Sequence, residues 1–147
     1  MKYKLEVDID LPRNEVILLF DNPDNLSKWQ EGLISFEQLE KTDDRVGSTA
    51  KLLYDMNGRR IEMKETITKY DLPDEFSGTY EADGMWNGQR NLFIELNEKQ
   101  TRWVSESEFK GTNLIMKIMT WLMPGAFKKQ SYKYMIAFKD FAESQSE

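Results

Sequence analysis

The sequence predicts an α+β fold in which a curved, seven-stranded antiparallel sheet wraps over a long C-terminal helix. Two observations support this prediction. Seven segments with strand-like patterning are joined mostly by short polar turns, which is typical of an antiparallel meander with one packed face. From residue 114 onward the pattern changes to a helical period, and this segment is the one element long enough to cover that face.

The first strand and two short helices are predicted within residues 3–29. Apolar and polar residues alternate over residues 3–9, which indicates a half-buried strand. Pro12 follows at a position that the first turn of a helix tolerates. Asn22 and Pro23 then form a typical cap and first position for a second helix. The predicted order is therefore one strand, two helices, six strands and one helix.

The six remaining strands follow from alternating segments between turn residues. Asn57-Gly58 separates two of them, and this dipeptide strongly favours a two-residue type I′ hairpin. Leu72-Pro73-Asp74 and the polar stretch 97–100 mark later turns. The predicted strands cover residues 34–39, 48–56, 60–70, 76–83, 86–96 and 102–110.

The C-terminal helix is predicted to break near Pro124-Gly125, because proline removes a helical hydrogen bond and clashes with the preceding turn. This break is also the expected hinge of a gate formed by the first half of the helix. Apolar residues before it share one helical stripe, which we expect to roof the space under the sheet. They are Leu114, Ile115, Ile118, Met119 and Leu122.

Composition bounds the function. A chain of 147 residues is the length of one domain, here predicted over residues 1–147. Its net charge of −6 disfavours a nucleic-acid surface, since phosphate contacts need clustered Lys and Arg. The N-terminus alternates from the start and does not resemble a signal peptide, so a cytoplasmic protein is expected.

The chain contains no cysteine and no histidine. Disulfide frameworks, thiolate chemistry, catalytic triads and His-based zinc sites are therefore excluded. Histidine is also the usual general base at neutral pH, so its absence favours binding over catalysis. We expect no metal and no cofactor.

Three local motifs carry a family resemblance. Residues 7–12, 21–29 and 123–129, together with the order of elements, resemble the polyketide cyclase/dehydrase-like branch of the START-like (SRPBCC) superfamily. The resemblance implies the helix-grip fold, which that superfamily shares with allergens related to the birch pollen allergen. It also implies a cavity between sheet and helix, because members as different as lipid carriers and aromatic polyketide cyclases share a cavity rather than a reaction.

Two charged residues fall among inward positions of predicted strands. Glu65 shares its phase with Ile61, Met63 and Ile67, and Arg90 shares its phase with Trp86 and several aliphatic residues. A buried charge is costly unless paired, so the two side chains would pair, or one would bind a polar ligand group. The alternative is that either lies at a rim or that a bulge reverses the phase.

The predicted ligand-binding set adds aromatic and methionine side chains, which suit a pocket that adapts to apolar ligands. For these residues the alternative is ordinary core packing. The set comprises Tyr54, Met63, Glu65, Tyr80, Arg90, Trp103, Ser105, Met116, Met119, Met123 and Phe127.

Three functions remain open at this point. The first is binding or transport of an apolar or aromatic small molecule. The second is a cyclase or dehydratase acting on a polyketide-like substrate, with Glu65 as a carboxylate base. The third is a partner-binding module of the co-chaperone type, which would have a filled core and an exposed apolar patch.

The lysines of the C-terminal helix allow two interpretations. They would contact an anionic membrane, with Trp121 and Leu122 inserted, or they would form an ordinary solvated face that complements the acidic sheet. The solvated face is the simpler interpretation. The sequence leaves the oligomeric state open.

Overall fold

The computed structural model describes residues 1–145, so the last two residues of the predicted domain lie outside it. Its strands are β1 (Lys2–Ile9), β2 (Leu33–Glu40), β3 (Thr49–Met56), β4 (Arg59–Asp71), β5 (Glu75–Ala82), β6 (Met85–Asn97) and β7 (Gln100–Gly111). The α-helices are α1 (Arg13–Phe20), α2 (Leu26–Trp29), α3 (Leu114–Leu122) and α4 (Pro124–Ser144), and a 3₁₀ turn (Pro23–Asn25) precedes α2.

The seven strands form one antiparallel sheet in the order β1-β7-β6-β5-β4-β3-β2, which confirms the predicted sheet. The β3–β4 hairpin turns at Asn57 and Gly58, whose φ angles are 58° and 86°. Positive φ at both central residues is what a type I′ turn requires, and Asn and Gly adopt it readily. The register of β4 against β5 shifts between Ile67 and Lys69, and irregularities of this kind bend a strand.

An aromatic core fills one end of the space between sheet and helices. Phe138 of α4 is fully buried, and its ring centroid lies 5.2 Å from Trp29 and 5.4 Å from Trp103. Phe20 of α1 packs edge-on against the rings of Trp103 and Phe138. This cluster fixes α1, α2 and α4 against β7, and it leaves the opposite end of the concave face unfilled.

The C-terminal segment is broken where the sequence predicts. Helix α3 ends at Leu122, Met123 leaves helical geometry with φ −130° and ψ 51°, and α4 begins at Pro124. Asn113 caps α3, because its side-chain oxygen accepts a hydrogen bond of 2.9 Å from the Met116 amide. Hinge motion at this break stays a prediction. Among residues 1–145, no helix has both the length and the apolar character needed to cross a bilayer.

Close contacts with the sheet fix the position of α3. A Cβ atom added to Gly111 would lie 2.4 Å from the Lys117 amide nitrogen, so only glycine allows α3 to approach β7 this closely. The start of α4 is tied to β1, since the Tyr3 hydroxyl hydrogen-bonds Ser131 and donates to the Phe127 carbonyl oxygen at 3.2 Å. The two helices therefore have separate attachments to the sheet on either side of the break.

Candidate functional site

A cavity of about 1040 Å³ lies between the concave face of the sheet and the C-terminal helices. Eight of the predicted ligand-binding residues line it. They are Tyr54, Met63, Glu65, Tyr80, Trp103, Ser105, Met116 and Phe127. Alternation explains why the strand residues of this set line the cavity, because every second residue of β3, β4, β5 and β7 points to the concave face.

Glu65 is a half-buried acidic side chain in the cavity wall. It lies on β4 directly between Ala50 of β3 and Tyr80 of β5 in the sheet register. Burial raises the pKa of the Glu65 carboxyl, while interaction with the Tyr80 hydroxyl and the positive charge of Arg45 partly oppose that rise. The carboxyl is therefore biased toward its neutral form, in which it donates a hydrogen bond.

Two tyrosine hydroxyls accompany this carboxyl. Burial raises the pKa of Tyr80 well above its ordinary value, and the nearby Glu65 carboxyl adds a smaller effect in the same direction. Burial likewise raises the pKa of Tyr54, and its hydroxyl donates a hydrogen bond of 2.6 Å to Gln30 Oε1. Both phenols therefore stay protonated. Tyr80 and Glu65 are partly accessible because they face the cavity.

A strip of amide side chains, which no sequence pattern indicated, forms the β6 part of the wall. The Asn91 Oδ1 atom accepts a hydrogen bond of 3.0 Å from Trp103 Nε1, and Asn91 lies opposite Ser105 in the register. Further along β6, Gln89 Nε2 donates to Asn87 Oδ1 at 3.1 Å. The cavity thus combines an apolar lining with fixed donors and acceptors along one strand.

Arg90 does not line the cavity, so its predicted inward orientation is wrong. It lies on the convex face of β6, where it forms salt bridges with Glu106 at 3.1 Å and Glu75 at 3.3 Å. The apolar phase of β6 faces outward here: Trp86 on the same face is covered by the Lys110 ammonium, 5.0 Å from its ring centroid. The inward residues of this part of β6 are the polar ones, Asn87, Gln89 and Asn91, which line the cavity.

Arg45, in the loop before β3, places a guanidinium group at the cavity wall. Its central carbon lies 4.8 Å from the ring centroid of Tyr70, a cation–π contact. Its buried Nε atom has no hydrogen-bond partner among residues 1–145. The sequence contains no pattern that identifies Arg45, since loop residues have no phase relative to the sheet.

Met119 and Met123 were also predicted to line the cavity, and this prediction is wrong. Both side chains point outward, with 38% and 48% of their surface exposed. Of the three methionines in this segment, only Met116 faces the cavity, because α3 rests on β7 through the side that carries Met116 and Thr120. The remaining roof belongs to α4, from Phe127 to Met135.

The polar groups of the cavity wall include the Glu65 carboxyl, the phenols of Tyr54 and Tyr80, the Ser105 hydroxyl and the amides of β6. These groups can hydrogen-bond a ligand's oxygen atoms, and the carboxyl can in addition transfer a proton. Within residues 1–145, no three histidine, cysteine, aspartate or glutamate side chains are arranged to hold a metal ion.

Comparisons with known proteins identify the fold class. No family model and no curated protein matches the sequence. Among solved structures, the Zhui aromatase/cyclase from Streptomyces sp. R1128 has a TM-score of 0.85 at 13% identity, covering 100% of this chain and 96% of its own. A protein from Thermus thermophilus has a TM-score of 0.82 at 15% identity, with 100% of both chains covered.

A START superfamily protein from Mycobacterium smegmatis is also similar, with a TM-score of 0.79, 12% identity and 98% of both chains covered. These likenesses confirm the helix-grip fold that the sequence motifs indicated, and with it the resemblance to START-like and aromatase/cyclase structures. At such low identity they establish the fold, and the fold alone does not determine a function.

Proposed function

We propose that this protein binds an apolar or aromatic small molecule in the cavity between the sheet and α4. The observation that carries the proposal is the cavity itself, whose volume of about 1040 Å³ lies at the upper end of the range for small-molecule sites. A mainly apolar lining with a few convergent polar groups is the usual composition of such sites.

The polar groups of the cavity wall indicate which functional groups the ligand carries in addition to its apolar body. Protonated Tyr80 offers a hydrogen-bond donor, burial raises the pKa of the neighbouring Glu65 carboxyl, and the amides of β6 offer donors and acceptors. A ligand carrying carbonyl or hydroxyl oxygens on an aromatic or aliphatic body would satisfy both the apolar walls and this polar strip. A fully charged ligand would leave the apolar walls without a partner.

Native mass spectrometry of the protein purified from its own host tests this proposal, and we expect a co-purified ligand. The neutral fluorophore N-phenyl-1-naphthylamine provides a second assay. Ser105→Phe places a ring inside the cavity, so we expect it to weaken fluorophore binding at least about tenfold. Ser35→Phe, on an exposed position of β2, is the matched control. Equal binding by both folded variants would contradict the proposal.

A second candidate function is catalysis by Glu65 on a polyketide-like substrate, as a cyclase or dehydratase. The specific support is a half-buried carboxyl of raised pKa beside Tyr80 in a cavity, an environment typical of carboxyls that transfer protons. Glu65→Gln is then expected to reduce turnover about 10²–10⁴-fold while ligand affinity stays near that of the wild type. An unchanged rate would exclude this role for Glu65.

The partner-binding alternative required a filled core. Because the concave face borders a large cavity instead, we do not propose a co-chaperone-like function.

A further inference from the structure

Helix α3 presents an apolar face to solvent. The exposed fractions are 74% for Leu114, 73% for Ile115, 80% for Trp121 and 59% for Leu122, and no residue of this helix is buried. Together with Ile118 and Met119 these side chains cover a continuous arc of nearly half the helix circumference, since successive residues are about 100° apart. A protein surface rarely carries so continuous an apolar patch unless the patch binds something.

The charges on the helical segment that carries this face are all positive. From Gly111 to Lys139 the sequence contains five lysines and no acidic residue, whereas the chain as a whole has a net charge of −6. Lys117 borders the apolar arc on α3, and Lys128 and Lys129 are exposed on the first turns of α4. None of these three lysines forms a salt bridge within the described part of the chain.

The exposed apolar arc and the unpaired lysines together indicate the chemistry of the partner that would cover α3. A second copy docking through the same face would bring two sets of unpaired lysines together without acidic groups to offset them. An anionic lipid surface offers negative headgroups for the lysines and an acyl boundary for the leucine, isoleucine and tryptophan side chains. A helix of 9 residues cannot span a bilayer, so it would lie along the interface.

We propose that α3 is a membrane-docking helix that binds anionic lipid surfaces reversibly. This inference goes beyond the proposed function and does not depend on the identity of the cavity ligand. The opposite side of the same helix carries Met116, which lines the cavity, so docking would place the cavity roof at the membrane. The structure thereby changes the interpretation of the lysines: a solvated face explains their exposure, but it does not explain an apolar arc beside them.

The test measures sedimentation of the intact protein with two kinds of vesicle, phosphatidylcholine alone and phosphatidylcholine mixed with phosphatidylglycerol. We expect binding to the mixed vesicles, weakened by added salt because the lysine contribution is screened. Ile115→Asp should reduce binding at least about tenfold, because a carboxylate cannot enter the acyl boundary. Leu18→Asp is the matched control, since Leu18 on α1 is also 73% exposed.

A second pair of variants tests the charges. Lys128→Glu with Lys129→Glu should abolish the preference for phosphatidylglycerol, whereas Lys41→Glu with Lys99→Glu changes the net charge equally at exposed positions elsewhere. All these positions lie at the surface, so folding should be retained. No binding to mixed vesicles, or equal losses in test and control variants, would overturn the proposal. A concentration-dependent dimer that Ile115→Asp abolishes, without vesicle binding, would also overturn it.

Discussion

Replacing Phe138 with alanine is expected to lower the free energy of unfolding by about 3–5 kcal/mol, the usual cost of removing a fully buried phenylalanine. Its ring is fully buried where α1, α2, α4 and β7 meet, with centroids of Phe20, Trp29 and Trp103 within 5.6 Å. These large rings cannot all move inward, so the substitution leaves a cavity as well as losing apolar burial. Urea unfolding followed by circular dichroism measures the change.

Tyr132→Ala is the matched control for this prediction. Tyr132 lies on the same helix, is also aromatic and is 45% exposed, so its removal should change stability by no more than about 0.5 kcal/mol. A Phe138→Ala loss below about 1.5 kcal/mol would contradict the assignment of this cluster as the core that fixes α4. It would mean that the aromatic rings repack around the gap.

Much of the fold was predictable because local signals and sheet geometry agree. Asn57-Gly58 indicated one hairpin, alternation indicated the strands, and Pro124 indicated the break between α3 and α4. Each of these signals acts over a few residues, so it does not depend on what the rest of the chain does. Strand ends differed from prediction by one or two residues, because alternation does not report where the hydrogen bonding of a strand begins or stops.

The site was predictable on β4 and not on β6, for one physical reason. Alternation indicates which face of a strand is apolar, but the wall of a cavity can be apolar, as Met63 makes it on β4, or polar, as the amides make it on β6. On β6 the inner face borders the cavity and carries Asn87, Gln89 and Asn91, while Trp86 lies outside under Lys110. The prediction therefore assigned Arg90 to the wrong face of the strand.

Helix α3 shows the converse error. Its apolar stripe was assigned to the cavity because apolar stripes usually face inward. Here the stripe faces solvent, since Gly84 and Gly111 allow the opposite side of the helix to pack closely against the sheet. Sequence periodicity reports that a helix has an apolar side. It does not report whether protein, ligand or lipid covers that side.

Glu65→Gln is expected to stabilise the protein relative to the wild type, by an amount that grows as pH rises from about 4.5 to the raised pKa of folded Glu65 and is constant above it. The ordinary pKa of a glutamate carboxyl is 4.5, and burial raises the pKa of Glu65 above that value in the folded protein. Between these two pKa values, the unfolded chain has therefore lost a proton that the folded protein retains. The wild type therefore loses stability with rising pH, at about 1.4 kcal/mol for each unit by which the pKa is raised. Glutamine resembles the neutral acid and has no such dependence.

Urea unfolding of both proteins across about pH 4 to 8 measures this difference, which should vanish at the acidic end, where both side chains are neutral. Glu62→Gln is the control, because Glu62 is exposed on the opposite face of β4 and pairs with Lys51 at 3.5 Å. A Glu65→Gln effect independent of pH would show that the carboxyl ionises normally. The cavity would then contain a carboxylate, which accepts hydrogen bonds only, and its ligand would have to present donors instead of carbonyl oxygens.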